Sequence, residues 1–275
     1  MCRIFWLERA AVQYAELMKI RIWQLDVNSA EPAGQRMLRV QENLAELASD
    51  SDLLVLPELW LPGAFALQEL AAAEVLLSDE FFTSAQRISD STGATLHLGS
   101  FPIRNETGTL GNTSVVLRAN QPATTYRKQH LFGFADGERK YLEASNDLVV
   151  VPTQLGQTGL VTCYDLRFPE LFRNLLDVGA DTFIIPAGWP VARINHWTVL
   201  LQARAIENQA IVIGTNSVGV SAGVELGGRS TVIAADGEIL AQAGDVECVL
   251  DVDIDIAPRE TLRKNFPVLA DRRKK

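Results

Sequence analysis

The segment at residues 158–171, TGLVTCYDLRFPEL, constrains the fold most, because a strand, a turn and the start of a helix follow one another within it. An apolar run ending at β-branched Thr162 suits a buried strand, and Pro169 fits the first turn of a helix that continues to Gly179. Cys163 therefore lies where a strand gives way to a helix, a junction that exposes a side chain at the carboxyl edge of a sheet. A thiol there is either a nucleophile or, because free cysteine is often buried, a small core residue.

Strand and helix patterns alternate along the rest of the chain. Residues 20–27 (IRIWQLDV) have an extended pattern, residues 32–48 a helical one, and residues 53–56 an apolar strand pattern. This order predicts an α/β fold. Further helices are predicted at residues 71–90 and 195–209. Further strands are predicted at residues 95–101, 112–117, 182–186, 211–216, 230–234, 238–241 and 246–254.

Turn residues predict antiparallel hairpins beside the α/β units. Residues 148–151 and 160–162 flank a turn at Gly156, and they are expected to pair on the way to the cysteine. The dipeptide Asp236-Gly237 is typical of a two-residue hairpin turn. The residue pattern alone therefore predicts an α/β chain with interleaved hairpins.

The length and composition of the chain predict one globular domain. Its 275 residues are 47% hydrophobic and 21% charged, and no Pro-, Gly- or Ser-rich linker divides them. The domain is predicted at residues 18–275. Residues 1–17 precede the first strand pattern as an N-terminal extension, which is a marginal helix, a disordered lead or an upstream start-codon artefact. Charged residues interrupt this extension, so it is not expected to be a secretory signal.

Charge and composition argue against several functions. A formal net charge of −9 and a pI near 4.9 argue against a nucleic-acid surface, which needs clustered lysine and arginine. Three cysteines without CxxC spacing indicate a reducing compartment, and three scattered histidines without a metal-ligand spacing argue against a zinc site. Apolar runs of membrane-spanning length are absent from the sequence, so a cytoplasmic protein without a membrane partner is expected.

Two further polar residues follow predicted strands. Glu58, in LPELW, comes directly after the strand at residues 53–56, and Lys128 lies in TTYRKQHLF among aromatic and apolar residues. Each is either exposed at the surface or buried, and a buried carboxylate or ammonium needs a partner of opposite charge. Because strand carboxyl ends gather at one edge of an α/β sheet, these two residues and Cys163 are expected to converge.

The motifs LPELW, YRKQHLF and TCYDLRFPEL, in this order and together with ARAIENQ, resemble those of the nitrilase or carbon-nitrogen hydrolase superfamily. The resemblance extends over residues 18–267, nearly the whole chain. It implies a four-layer α-β-β-α sandwich of two mixed β-sheets. It also implies a homodimer or a higher homo-oligomer, a small-molecule amide as substrate, and no metal or organic cofactor.

The resemblance also implies roles for individual residues. Glu58 is the expected general base, Lys128 the stabiliser of the tetrahedral intermediate and Cys163 the nucleophile. A second glutamate often supports the lysine in this superfamily. By its place in YLEAS, Glu143 is a better match for it than Glu138.

The chemistry explains why these residue types are needed. A thiol is mostly protonated at neutral pH, so it requires a base and a positive neighbour to attack an amide. Attack creates an oxyanion, for which the expected donors are the Lys128 ammonium and the backbone N–H of Tyr164. Ammonia leaves as a thioester forms, and the same carboxylate that protonates it then activates water to hydrolyse the thioester.

The segments CYDLRFPELFR, PAGWP and HWTVLLQARAIENQ resemble most the omega-amidase branch, which hydrolyses the terminal amide of 2-oxoglutaramate and related dicarboxylic monoamides. A carboxylated substrate requires a cation in the pocket. Arg167 is the first candidate and Arg193 the second. The alternative for Arg167 is a structural ion pair with Asp165 or Glu170.

Two aromatic residues and several activities remain open on the sequence alone. Tyr126 and Trp189 either wall the pocket or pack in the core. Within the superfamily, the alternatives are an aliphatic amidase, a deaminated-glutathione amidase and an N-carbamoyl hydrolase. An alternative of another class is a catalytically silent homologue that binds a metabolite.

Overall fold

The computed structural model describes residues 17–133 and 136–273, so the N-terminal extension lies outside the described residues except for Leu17. Two hydrogen-bonded sheets of six strands and a separate two-stranded hairpin form the β structure of the described chain. The strands are β1 (Met18–Gln24), β2 (Leu53–Val55), β3 (Thr95–Arg104), β4 (Leu110–Leu117), β5 (Thr124–Arg127), β6 (Val150–Thr153), β7 (Gly156–Leu160), β8 (Thr182–Ala187), β9 (Ile211–Asn216), β10 (Val218–Ser221), β11 (Val224–Gly227), β12 (Thr231–Ile233), β13 (Ile239–Gln242) and β14 (Cys248–Ile254). The helices are α1 (Ala33–Ala48), α2 (Glu80–Thr92), α3 (Pro169–Asp177), α4 (Ile194–Asn208) and α5 (Ala257–Asn265).

Both large sheets are mixed. The first has the order β14-β1-β2-β3-β4-β5, in which β1, β2 and β3 are parallel and the other neighbours are antiparallel. The second has the order β13-β12-β9-β8-β7-β6, with β7, β8 and β9 parallel. Parallel strands occupy the centre of each sheet because crossover helices can cover them there.

The two sheets pack face to face between two layers of helices. One apolar cluster joins the sheets, and it contains Ile20, Ile22, Leu53 and Val55 of the first sheet with Ile184, Ile211, Ile213 and Val232 of the second. A second cluster packs α1 and α2 onto the outer face of the first sheet, and a third packs α3 and α4 onto the second. The four-layer α-β-β-α sandwich is therefore confirmed.

The central strands are buried on both faces. All three residues of β2 are buried, and β8 is buried along its whole length. A strand covered on both sides is apolar throughout rather than alternating, which explains why its sequence is a continuous apolar run. The loops that follow the carboxyl ends of these strands carry polar residues of the candidate site, such as Glu58 after β2.

Most of the predicted elements are present, and the main difference is the start of α2. The helix predicted at residues 71–90 begins at Glu80, because the Asp79 carboxylate accepts a hydrogen bond from the Leu76 N–H, 2.8 Å between donor and acceptor, and turns the chain. Both predicted hairpins are confirmed. The first pairs β6 with β7, and the second joins β12 to β13 through Gly237 at φ 94°.

Candidate active site

Cys163 lies on a sharp turn between a strand and a helix. Strand β7 ends at Leu160, a 3₁₀ turn spans Cys163–Arg167, and α3 follows. The backbone of Cys163 has φ 46°, a left-handed conformation that is uncommon for a residue with a Cβ atom. Such strain concentrates at functional sites, and here it turns the thiol toward a cavity that Cys163 lines.

A buried carboxylate holds this turn in place. One oxygen of Asp165 accepts hydrogen bonds from the Thr162 N–H at 3.0 Å and the Tyr126 hydroxyl at 2.7 Å, and its other oxygen accepts one from the His130 N–H at 2.8 Å. Asp165 is completely buried. These hydrogen bonds connect the turn that carries Cys163 to the segment that carries Lys128. They therefore hold the two segments in a defined relative position.

Glu58 lies three residues after the end of β2 and is almost completely buried, with 2% of its surface exposed. Its Oε1 atom accepts hydrogen bonds from Lys128 Nζ at 2.7 Å and Asn112 Nδ2 at 2.8 Å. Its Oε2 atom accepts one from the Gly188 N–H at 3.0 Å. The following residue, Leu59, has φ 42°, so the chain turns sharply after the carboxylate. The structure thus provides the partners that a buried carboxylate needs.

Lys128 lies between two carboxylates. Its Nζ atom is 2.7 Å from Glu58 Oε1 and 2.9 Å from Glu138 Oε2, and the residue is 1% exposed. Burial by itself would lower the pKa of Lys128, but the negative charges of Glu138 and Glu58 raise it well above its usual value. The ammonium therefore stays charged across the physiological pH range.

The prediction that Glu143 supports the lysine is wrong, because Glu138 makes this contact. Glu138 lies in the 3₁₀ turn Glu138–Lys140, and the Phe132 N–H donates to its Oε2 atom. Glu143 instead accepts a hydrogen bond from the Thr109 hydroxyl, lies 3.5 Å from the Arg127 guanidinium, and exposes 56% of its side chain.

Two glycines explain why Glu138 folds inward. A Cβ atom on Gly137 would lie 2.4 Å from the Phe132 carbonyl oxygen and 2.6 Å from the Gly133 Cα atom, so only glycine permits this close approach. Gly133 and Gly137, shortly before Glu138, are the sequence signal that could have identified the correct glutamate.

The thiol of Cys163 is protonated in the resting site. Burial and the negative charge of Glu58 raise its pKa well above the usual value, and the Lys128 charge offsets only part of this increase. A thiol in this environment becomes nucleophilic when a neighbouring base removes its proton. Of the two nearby carboxylates, Glu58 has the larger effect on the thiol pKa and is therefore the candidate base.

The three residues line a cavity of about 220 Å³. The cavity is also lined by three of the four predicted substrate-binding residues, Arg167, Trp189 and Arg193, and by Tyr164, the predicted backbone donor to the oxyanion. Tyr126 is different, because it is buried in the core and its hydroxyl is used by Asp165. The interpretation of Tyr126 as a pocket wall is therefore wrong.

Two arginines lie at this cavity without an ion-pair partner among the described residues. The Arg167 guanidinium lies over the Trp189 ring, 4.7 Å from its centroid, and that of Arg193 lies 5.5 Å from the Phe132 ring centroid. The suggested ion pair of Arg167 with Asp165 is not formed, because other groups occupy that carboxylate. Burial lowers the pKa of Arg167, and the positive charge of Arg193 lowers it further.

Helix α4 supports the nucleophile turn from behind. The Nε and Nη2 atoms of Arg204 donate to the Leu166 carbonyl at 3.1 and 2.7 Å, and Nη1 lies 2.9 Å from Glu207 Oε1. Arg204 and Glu207 thus form an ion pair three residues apart on the same helix. Sequence reasoning missed that the same guanidinium binds the turn after Cys163. The ARAIENQ motif was its only visible signal.

Within residues 17–133 and 136–273, no group of three or more His, Cys, Asp or Glu side chains is placed to hold a metal ion. None of the helices in the described part of the chain has the length and apolarity needed to cross a membrane.

Comparison with known proteins agrees with this geometry. The carbon-nitrogen hydrolase family model matches residues 10–264. A 2-oxoglutaramate amidase of Paenarthrobacter nicotinovorans is 41% identical over 258 residues, covering 91% of this chain and 87% of that protein. A 2-oxoglutaramate amidase of Bacillus subtilis (strain 168) is 34% identical, covering 91% of this chain and 96% of its own.

A solved structure shows the same fold. It is a carbon-nitrogen hydrolase superfamily protein from Xanthomonas campestris that carries an arsenic adduct in its active site. It superposes with a TM-score of 0.86 at 29% identity, covering 94% of this chain and 98% of that one. The chain therefore belongs to the carbon-nitrogen hydrolase family.

Proposed function

We propose that this protein is an omega-amidase that hydrolyses the terminal amide of a small carboxylated substrate, with 2-oxoglutaramate giving 2-oxoglutarate and ammonia. One observation carries the proposal. A buried cysteine, glutamate and lysine share a small cavity with two arginines that have no ion-pair partner among the described residues. The two 2-oxoglutaramate amidases described above support the choice of substrate.

The first step joins proton transfer to nucleophilic attack. The S–H bond of Cys163 breaks, its proton moves to the Glu58 carboxylate, and the sulfur electron pair forms a bond to the amide carbon. Because burial raises the pKa of the thiol, a free thiolate is disfavoured before substrate arrives. Glu58, held in place by Lys128 and Gly188, is the base that meets this need.

The oxyanion that forms is stabilised by two donors. One is the Lys128 ammonium, which two carboxylates keep charged. The other is the backbone N–H of Tyr164, near the start of the 3₁₀ turn, where the first N–H groups have no partner within the turn. Protonated Glu58 then gives its proton to the leaving ammonia. The same carboxylate next activates water, which hydrolyses the thioester.

The substrate carboxylate is bound by an arginine. Arg167 is the first candidate because it lines the cavity, stacks on Trp189 and is partly withdrawn from water, which strengthens a charge-assisted hydrogen bond. Arg193 lines the same cavity and is the second candidate. The cavity volume of about 220 Å³ favours a small amide.

Ammonia release from a panel of amides tests the proposal. The panel contains 2-oxoglutaramate, a dicarboxylic monoamide without the oxo group, glutamine, a neutral aliphatic amide and an N-carbamoyl compound. We expect the highest kcat/KM with 2-oxoglutaramate and no release by the Cys163→Ala variant. Good turnover of the neutral amide beside no activity on 2-oxoglutaramate would reject the proposed substrate.

Deaminated glutathione is a second candidate substrate. A deaminated glutathione amidase of Yersinia enterocolitica is 30% identical to this chain, covering 90% of it and 91% of that protein. Deaminated glutathione is included in the panel for this reason. A kcat/KM for it above that for 2-oxoglutaramate would favour this second function.

We also propose a cytoplasmic homodimer or higher homo-oligomer, as the superfamily resemblance implies. The exposed side chains of Val199 and Ile206 on α4 support an apolar contact surface. Light scattering coupled to size-exclusion chromatography measures the mass in solution. A mass of one chain at micromolar concentration would contradict this proposal.

A further inference from the structure

Asn112 contacts both Glu58 and Glu138, but the mechanism described above assigns it no role. It is completely buried on β4, and its Nδ2 atom is 2.8 Å from Glu58 Oε1 and 3.1 Å from Glu138 Oε1. An ionised carboxylate only accepts hydrogen bonds, so the side chain must present its NH₂ group to both. One amide group therefore donates to the two carboxylates that hold Lys128.

The backbone places Asn112 there. The Lys128 N–H donates to the Asn112 carbonyl at 2.9 Å, so β4 and the segment after β5 are paired at this point. The side chains of both residues then reach the same two glutamates. Asn112 and Lys128 form a pair of donors, one neutral and one charged, that the fold delivers together.

Charge explains why a neutral donor is useful. The buried group contains two carboxylates and one ammonium, so its carboxylates are not fully compensated. Burial raises the pKa of Glu138, although Lys128 opposes this change. A second lysine in place of Asn112 would add charge, whereas an amide stabilises both ionised carboxylates without changing the total.

The contacts of Glu58 also distinguish its two oxygen atoms. Oε1 accepts from both Lys128 and Asn112, which uses its two lone pairs. Oε2 accepts only from the Gly188 N–H among the described residues, so one lone pair remains for a proton. Of the two oxygens, Oε2 therefore has the acceptor position that a thiol proton needs.

We propose that Asn112 is a positioning residue that donates to Glu58 Oε1 and Glu138 Oε1 and thereby directs the thiol proton to Glu58 Oε2. This inference rests on the proposed function, because it assigns a task within that reaction. Without the amide, the carboxylate pair binds a proton more tightly, and less of the enzyme carries the base in its active form. The other charged or titratable groups around the pair are Lys128, Cys163, Tyr164, Asp136, Arg167 and Arg193.

The test removes the donor while keeping the strand. Asn112→Leu has a similar size, and Asn112→Val is a second variant without a donor whose β-branched side chain suits a strand. The pH dependence of kcat/KM and kcat is measured with the most active amide. We expect the acid limb to move up by about one pH unit and kcat to fall about 10- to 100-fold with little change in KM.

Asn208 provides the matched control. It is also a buried asparagine, its Nδ2 atom donates to the Arg204 carbonyl at 2.9 Å, and its Oδ1 atom, like that of Asn112, has no partner among the described residues. We expect Asn208→Leu to lower the melting temperature but to keep the acid limb of the wild type. Loss of a buried amide and loss of a carboxylate partner are thereby separated.

A second measurement does not depend on turnover. Alkylation of Cys163 by iodoacetamide, followed by mass spectrometry at a series of pH values, reports how readily the thiol loses its proton. We expect the variants without a donor to need a higher pH for the same alkylation rate. This measurement remains valid even if the wild type hydrolyses none of the amides tested, in which case only the proposed function fails.

The outcomes divide clearly. An acid limb and an alkylation profile that stay at the wild-type pH in Asn112→Leu, or in Asn112→Val if the leucine variant does not fold, would overturn the inference. A fall in melting temperature alone would then assign Asn112 to packing. A shift in both profiles that Asn208→Leu does not reproduce supports it.

Discussion

Each reacting side chain at this site has neighbours that stabilise its protonation state. Glu58 and Lys128 are buried together at 2.7 Å, so neither is an isolated charge in the interior. Cys163 is kept neutral by burial and by the adjacent negative charge, which raise its pKa. In the resting site the proton is therefore on the Cys163 sulfur, and Glu58 is the carboxylate that accepts it when the thiol attacks.

The two candidate glutamates provide a direct test at the level of residues. We expect Glu138→Gln to lower kcat at least about 100-fold, because the Lys128 ammonium loses a charged partner and the pair that holds it is disrupted. We expect Glu143→Gln to keep kcat within about 3-fold of the wild type, because its side chain is exposed. Steady-state ammonia release measures both. Equal losses in the two variants would contradict the assignment of Glu138.

The two arginines of the cavity are distinguished by substrate. We expect Arg167→Ala to raise KM for a carboxylated amide about 10- to 100-fold, because a charge-assisted hydrogen bond is lost from a partly buried site. KM for a neutral amide of similar size should change little. Arg193→Ala is the matched variant and should have the smaller effect. A comparable loss on the neutral amide would show that Arg167 is structural.

Sequence reasoning brought Glu58, Lys128 and Cys163 together because each lies just after a strand, and the carboxyl ends of strands gather at one edge of an α/β sheet. It failed for Glu138 and Tyr126. Both depend on side-chain direction inside loops, which close contacts of the backbone determine rather than a periodic pattern. Gly137 permits one inward turn, and the Asp165 carboxylate captures the tyrosine hydroxyl.

At the level of elements, the nucleophile turn depends on helices and loops that do not touch the substrate. Arg204 of α4 donates to the Leu166 carbonyl, and the Arg204 guanidinium lies 5.1 Å from the ring centroid of Phe172 in α3. The guanidinium therefore connects α4, α3 and the turn. The helix pattern of α4 was predictable, but this connection was not, since it joins segments far apart in the sequence.

Removal of this connection should destabilise the protein. We expect Arg204→Met to lower the free energy of unfolding by about 1–3 kcal/mol, because the buried Leu166 carbonyl loses its donors. We expect kcat to fall as well, since the turn that carries Cys163 is less well held. Urea denaturation and ammonia release measure the two effects.

Glu207→Gln is the control for this prediction. It removes the partly exposed ion pair with Arg204 and leaves the bonds to Leu166 in place, so we expect a loss below about 1 kcal/mol. If Glu207→Gln were as destabilising as Arg204→Met, the ion pair would be the main contribution and the role of the turn contact would be refuted.

For the whole molecule, the sequence pattern reached the α/β class, and the resemblance supplied the four layers. Periodicity reveals strands and helices, but whether strands form one sheet or two depends on which faces pack together. The burial of a single polar residue also depends on which faces pack together, so periodicity does not reveal it. His97 on β3 is completely buried, its Nδ1 atom accepts the Gly99 N–H at 3.2 Å, and its Nε2 atom has no partner among the described residues.

This histidine should make the stability of the whole fold depend on pH. Burial lowers the pKa of His97 from 6.5 to about 4. Between these values the unfolded chain binds the additional proton, so the stability contributed by neutral His97 is present above pH 6.5 and is lost as the pH falls toward 4. We expect this loss to reach about 3 kcal/mol, and urea denaturation at a series of pH values measures it.

A variant isolates this contribution from that of the many carboxylates. His97→Leu cannot bind the proton. Relative to the wild type, the unfolding free energy of this variant should therefore increase by about 3 kcal/mol as the pH falls from 7 to 4. His196 is exposed, and we expect His196→Leu to follow the wild-type curve. A wild-type and a His97→Leu curve that stay parallel over this range would mean that His97 does not take up the proton on unfolding, and its burial would then have to be balanced by a partner that binds the charged ring.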